Sequence, residues 1–92
     1  MQFLVIGLGS MGKRRVRNLI ALGFKSHIIG FDLREDRREE AQKYEIEIIN
    51  NLNNFDFTRI DAFIISTPPN LHMYYADIAY KNNVSAFIEA SV

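Results

Sequence analysis

The chain contains no cysteine. That excludes a disulfide framework, a thiolate zinc site and a cysteine nucleophile together, and no metal site is expected. It also lacks net charge, since 11 Lys and Arg offset 11 Asp and Glu. Nothing in the charge balance therefore suggests nucleic acid or an anionic membrane as a partner, while near-neutrality favours self-association and makes a homo-oligomer conceivable. Long hydrophobic runs are missing too. The N-terminal run Phe3-Leu4-Val5-Ile6 stops at Gly7 and follows no basic segment, so it is too short for a signal or membrane segment, and the expected location is cytoplasmic. Only two prolines occur, adjacent at Pro68 and Pro69. Ninety-two residues with 48% hydrophobic and 24% charged side chains allow one small globular domain, which buries a little over ~60% of its unfolded surface.

Glycine is also sparse, at five residues, but three of them fall in Gly7-Leu8-Gly9-Ser10-Met11-Gly12. This G-x-G-x-x-G stretch follows a strand-like run and precedes a helix-like one, the context in which the spacing has a physical meaning. Gly7 lets the backbone turn sharply out of the strand, Gly9 leaves room for a pyrophosphate, and Gly12 lets the helix lie close to the strand. A helix beginning near Ser10 aims its unpaired N–H groups and the positive end of its dipole at the same place. In that helix Gly12, Val16, Leu19, Ile20 and Gly23 define the packed face, and Lys13, Arg14, Arg15 and Arg17 are expected on a solvated one.

His27–Asp32 reads as a second strand ending on a carboxylate. Asp32 stands about twenty residues after Gly12, the offset at which a dinucleotide-binding βαβ unit places its ribose-binding acid. A carboxylate accepts hydrogen bonds from both ribose hydroxyls and repels a 2′-phosphate, so NAD is favoured. Arg34, which could cover the adenine face or accept a 2′-phosphate, keeps NADP as an option.

Further along, Asp36–Tyr44 reads as a charged, exposed helix with Ala41 and Tyr44 inward, and Ile46–Ile49 as a short third strand. The run Asn50–Asn54 is loop chemistry, so any crossover helix before the fourth strand, Asp61–Ser66, must be rudimentary. Thr67-Pro68-Pro69 ends that strand, Asn70 is the expected N-cap of a helix whose Leu71, Tyr75, Ile78 and Ala79 share a face, and Val84–Glu89 is a fifth strand. Strands alternating with helices imply an α/β fold, a doubly wound parallel sheet of Rossmann type with about five strands in the order 3-2-1-4-5. The order reverses between strands 1 and 4. A ligand is expected over their C-terminal ends, where Gly7–Gly12 meets Ser66–Asn70, with Asp32 on one side and Glu89 on the other.

Three segments together resemble the cofactor-binding half of the glucose-fructose oxidoreductase/inositol dehydrogenase/rhizopine catabolism (Gfo/Idh/MocA) oxidoreductases. These are Val5–Gly12, Asp32, and Ser66-Thr67-Pro68-Pro69-Asn70-Leu71-His72 leading through a helix into Ala86-Phe87-Ile88-Glu89. The resemblance implies that residues 1–92 form one NAD(P)-binding domain and that the family's second, substrate-binding domain is absent from them. It further implies that Thr67, Pro68, Asn70 and His72 line the cofactor near its ribose and nicotinamide end, and that Glu89 opens the family's Glu-Lys-Pro motif.

Ala90 and Ser91 stand where that Lys and Pro are expected, so no catalytic residue is assigned and the chain alone is expected to be inactive. The cofactor-binding set is thus Gly7, Gly9, Ser10, Met11, Gly12, Asp32, Arg34, Ser66, Thr67, Pro68, Asn70, His72 and Glu89. The expected function is dinucleotide binding in an oxidoreductase-like protein that acts on sugars or polyols once joined to a substrate domain. The alternatives are a non-catalytic NAD(H)-binding sensor or regulatory module, and a Rossmann domain for another adenosine ligand such as S-adenosylmethionine.

Overall fold

The computed structural model describes residues 1–89, so the sequence departures at Ala90 and Ser91 lie outside the described residues. Five short apolar segments become strands: β1 (Phe3–Ile6), β2 (Ile28–Phe31), β3 (Glu47–Ile49), β4 (Ala62–Ile65) and β5 (Ser85–Ile88). They form one parallel sheet in the order β3-β2-β1-β4-β5. The register is even across the centre, where Phe3 pairs with Ile28 on one side and with Ala62 on the other. β1, β2 and β4 are almost wholly buried because helices or loops cover both of their faces, which is why their sequences are unbroken apolar runs.

Alternation along β1 sorts side chains into two cores. Leu4 and Ile6 join Phe31, Phe63, Ile65, Tyr75 and Ala79 beneath helix α3 (Pro69–Lys81). Val5 joins Leu8, Val16, Leu19, Ala41 and Ile46 beneath helices α1 (Ser10–Ala21) and α2 (Glu35–Ala41). Each fully buried Leu, Ile or Phe contributes about 1.5–3 kcal/mol, so both layers are needed to hold so small a domain. Between β3 and β4 the crossover is a loop with one 3-10 turn, Phe57–Arg59, and no α-helix. Leu52, Phe55 and Phe57 from this segment pack on the α3-side core in place of a helix.

Several local expectations are corrected. His27 belongs to a 3-10 turn, Lys25–His27, and its Nδ1 accepts from the Gln2 side-chain amide at 3.1 Å, so β2 starts only at Ile28. The charged helix begins at Glu35 and tightens into a 3-10 turn at Gln42–Tyr44. Asn70 is not the cap of α3: the N-cap is Pro68 with no side-chain cap bond, and Pro69 occupies the first turn. A proline there loses nothing, because its missing N–H would have been unpaired and its φ is already helical. The basic residues of α1 are not simply solvated. Lys13 pairs with Glu40, Arg15 with Glu89, and Arg17 donates to the Tyr44 hydroxyl at 2.9 Å.

Candidate functional site

The C-terminal ends of β1 and β4 bring the glycine turn and the Ser66–Pro68 turn together. Gly7 has φ +96°, and a Cβ there would come within 2.7 Å of the Ser66 carbonyl oxygen, so this position needs glycine both for its backbone and for the close approach. Its N–H donates to the Phe31 carbonyl at 2.8 Å, and Ser66 N–H donates to the Ile6 carbonyl at 2.7 Å, which extends the sheet into both turns. A Cβ on Gly12 would overlap the Gly7 carbonyl oxygen: α1 rests directly on the turn it follows. The N-cap of α1 is Gly9, without a side-chain cap and with no acid in the first turn. Its terminal N–H donors and positive dipole end are therefore available for an anion.

Asp32 follows β2 and is fixed on both oxygens. Oδ2 accepts from the Leu8 N–H at 2.7 Å and Oδ1 from the Arg34 N–H at 2.9 Å. Each oxygen keeps a second lone pair for a hydroxyl donor. Arg38 donates to the carbonyls of Asp32 and Leu33 at 2.8 and 3.1 Å and shapes the same turn.

These elements enclose a cleft of about 240 Å³ whose lining includes Gly7, Gly9, Asp32, Arg34, Thr67 and Pro68. Apolar walls come from Leu33, Leu71 and Tyr75, and an adjoining space of about 320 Å³ continues past Leu52 and Tyr74. Tyr75 is buried and meets Phe31 edge-on with ring centres 6.3 Å apart. Burial pushes its hydroxyl pKa up, helped by Tyr74 and the Asp32 charge, so it faces the cleft as a neutral phenol. A wider groove of about 640 Å³ beside α2 and Asn50–Asn54 has no glycine turn at its rim, and the start of α2 there already carries the acids Glu35 and Asp36, so the candidate site is the smaller cleft.

Thr67 supplies an independent sign of a ligand. It is 7% exposed, and its Oγ1 is the one buried side-chain polar atom without a hydrogen-bond partner among the described residues. An orphaned buried hydroxyl costs about 1–3 kcal/mol, which a ligand donor or acceptor in the cleft would offset. His72 sits behind it, its Nε2 2.8 Å from the Thr67 carbonyl. A carbonyl only accepts, so Nε2 carries the proton and the ring steadies the turn.

Gly7, Gly9, Asp32, Arg34, Ser66, Thr67 and Pro68 line the cleft, whereas Ser10, Met11, Gly12, Asn70, His72 and Glu89 do not. The Arg34 guanidinium is clamped on Asp36, with contacts of 3.1 and 2.7 Å, in solvent. Glu89 accepts from Arg15 at 2.9 Å and from Ser66 Oγ at 3.0 Å, on the α1 side of the sheet. Burial raises its pKa, but the hydrogen bonds from Arg15 and Ser66 and the guanidinium charge outweigh that and hold it below the usual carboxylate range. Sequence reading missed Arg37, whose guanidinium lies over Gly9, and treated Tyr75 only as core. Tyr75 was findable from its inward helical position next to the Thr67 turn; for Arg37 there was no signal beyond its charge.

An anion-binding helix start, a carboxylate beyond the neighbouring strand and an unpaired buried hydroxyl around one cleft define a dinucleotide-binding Rossmann domain. Comparison with known families agrees: residues 1–90 match the Gfo/Idh/MocA model, described as an oxidoreductase family with an NAD-binding Rossmann fold. The chain belongs to that family. Among solved structures it is similar to UDP-N-acetylglucosamine 3-dehydrogenase GnnA from Acidithiobacillus ferrooxidans, with a TM-score of 0.80 and 24% identity over 96% of this chain. The chain spans 28% of the length of GnnA. It is also similar to the NAD(P)-binding domain of an exopolyphosphatase-related protein from Archaeoglobus fulgidus, with a TM-score of 0.76 and 19% identity, covering 99% of this chain and 74% of that one. No curated protein matches the chain. No helix among the described residues is long and apolar enough to cross a membrane.

Proposed function

We propose that the domain holds NAD and serves a protein that moves hydride between that cofactor and a sugar or polyol. Asp32 carries the reading: both oxygens are oriented by the Leu8 and Arg34 amides, facing the cleft, where they suit a ribose diol and oppose a 2′-phosphate. The pyrophosphate then belongs at Gly7–Gly12 and the nicotinamide end toward Thr67–His72. When bound, the nicotinamide supplies the hydride chemistry. The chain's own residues bind, orient and exclude water on one wall only, and the other wall must come from a substrate-binding domain. The sugar class draws support from the similarity to the UDP-N-acetylglucosamine 3-dehydrogenase GnnA. NADH titration followed by fluorescence tests the reading, which fails if no saturable binding appears up to low millimolar concentration.

Ala90 in place of the lysine implied by the family resemblance favours a second reading, a sensor that holds NAD(H) without turning it over. A longer parent chain that binds NADH yet stays inert with every sugar and polyol offered would select it.

A further inference from the structure

We propose that Arg37 is a pyrophosphate ligand, closing over the bound dinucleotide from α2 while the N-terminus of α1 holds it from below. The inference rests on the dinucleotide reading above and adds a residue from a different element.

A Cβ built on Gly9 would overlap Arg37 Nη1 and lie 3.4 Å from its Cζ, so the guanidinium stands over the middle glycine of the turn. It lines the same cleft as Asp32 and Thr67. The other cations near it have partners: Arg34 is on Asp36, Arg38 on two carbonyls, and Lys13 on Glu40. Among the described residues the Arg37 side chain makes no hydrogen bond or ion pair. Arg37 is half-buried, and its guanidinium over Gly9, the N-cap of α1, sets two positive groups against each other. An anion between them reverses both interactions. The planar fork of arginine matches a phosphodiester in two hydrogen bonds, and the backbone donors of α1 converge from the opposite side. Its place over Gly9 rather than beside Asp32 selects the pyrophosphate over a 2′-phosphate.

The test is binding of NADH, NADPH and ADP-ribose to the wild-type chain and to Arg37→Ala and Arg37→Lys variants. Arg37→Ala is expected to weaken all three ligands by a common factor of about ten or more, as befits a lost charge-assisted bond. It should also flatten the salt dependence of binding and leave Tm unchanged, with Arg37→Lys recovering part of the loss. Unchanged affinity in Arg37→Ala overturns the assignment, and a loss confined to NADPH overturns it in favour of a 2′-phosphate contact. Absence of NADH binding to the wild type removes the dinucleotide reading and this inference with it.

Discussion

Asp32 Oδ2 accepts the backbone N–H of Leu8 at 2.7 Å. The acid that follows β2 is thereby tied to the glycine turn that follows β1, so one side chain both organises the cleft and presents itself to a ligand.

Replacing it should separate those two tasks. Asp32→Ala leaves the Leu8 and Arg34 amides without their acceptor, which is expected to cost about 1–3 kcal/mol and so lower Tm by several degrees. Asp32→Asn keeps one acceptor oxygen and should lose less. Both variants are expected to weaken NADH more than NADPH, measured by titration under conditions where the protein stays folded. Equal losses for the two cofactors would argue against the ribose role.

The glycines of the turn should divide likewise. At Gly12 a Cβ overlaps backbone, so Gly12→Ala is expected to destabilise the fold by about 1–3 kcal/mol, visible as a lowered Tm. At Gly9 it meets only the mobile end of Arg37. Gly9→Ala is therefore expected to melt close to the wild type while losing NADH affinity. A Gly9→Ala protein that melts early but binds normally would contradict the assignment.

Thr67→Val removes the orphaned hydroxyl and keeps the shape. In the free protein this should be neutral or stabilising, since about 1–3 kcal/mol of desolvation is relieved. Cofactor affinity should fall at the same time. Calorimetry with and without NADH would show the two effects with opposite sign, and a loss of stability together with unaltered binding would mean the hydroxyl is not used by the ligand.

The Arg15–Glu89 pair should appear in the acid limb of the stability profile. The Glu89 pKa is depressed in the folded protein, so its contribution is complete above the unfolded value near ~4.3 and disappears as pH falls through the folded value. Glu89→Gln is expected to lower Tm at pH 7 by an amount that shrinks toward pH 3. A constant difference across that range would remove the pair from the account.

β5 invites association. Phe87 and Ile88 are 62% and 44% exposed on this strand, and no strand covers its outer edge among the described residues. Such an edge pairs readily with another chain. Light scattering should show concentration-dependent self-association that Phe87→Lys abolishes, and a clean monomer at high concentration would remove the expectation.

The sheet was legible in the sequence because parallel strands buried on both faces must be continuous apolar runs, and Phe3–Ile6, Ile28–Phe31 and Ala62–Ile65 are. The glycine turn and Asp32 were legible because their roles depend on backbone spacing. Long side chains were not. Arg37 reaches from α2 to the β1 turn and Arg15 from α1 to Glu89, and nothing in local periodicity says which element a flexible cation will cross to. The Asn70 cap was misread for a related reason: asparagine is a good cap in isolation, but Pro69 had already set the helical φ one residue earlier.

Glu89 is held three times over, by the Ile65 carbonyl on its own N–H and by Arg15 and Ser66 on its carboxylate. The end of β5 is thereby moored to α1, the helix capped by Gly9, so the last strand and the glycine turn share one mechanical reference across the centre of the sheet.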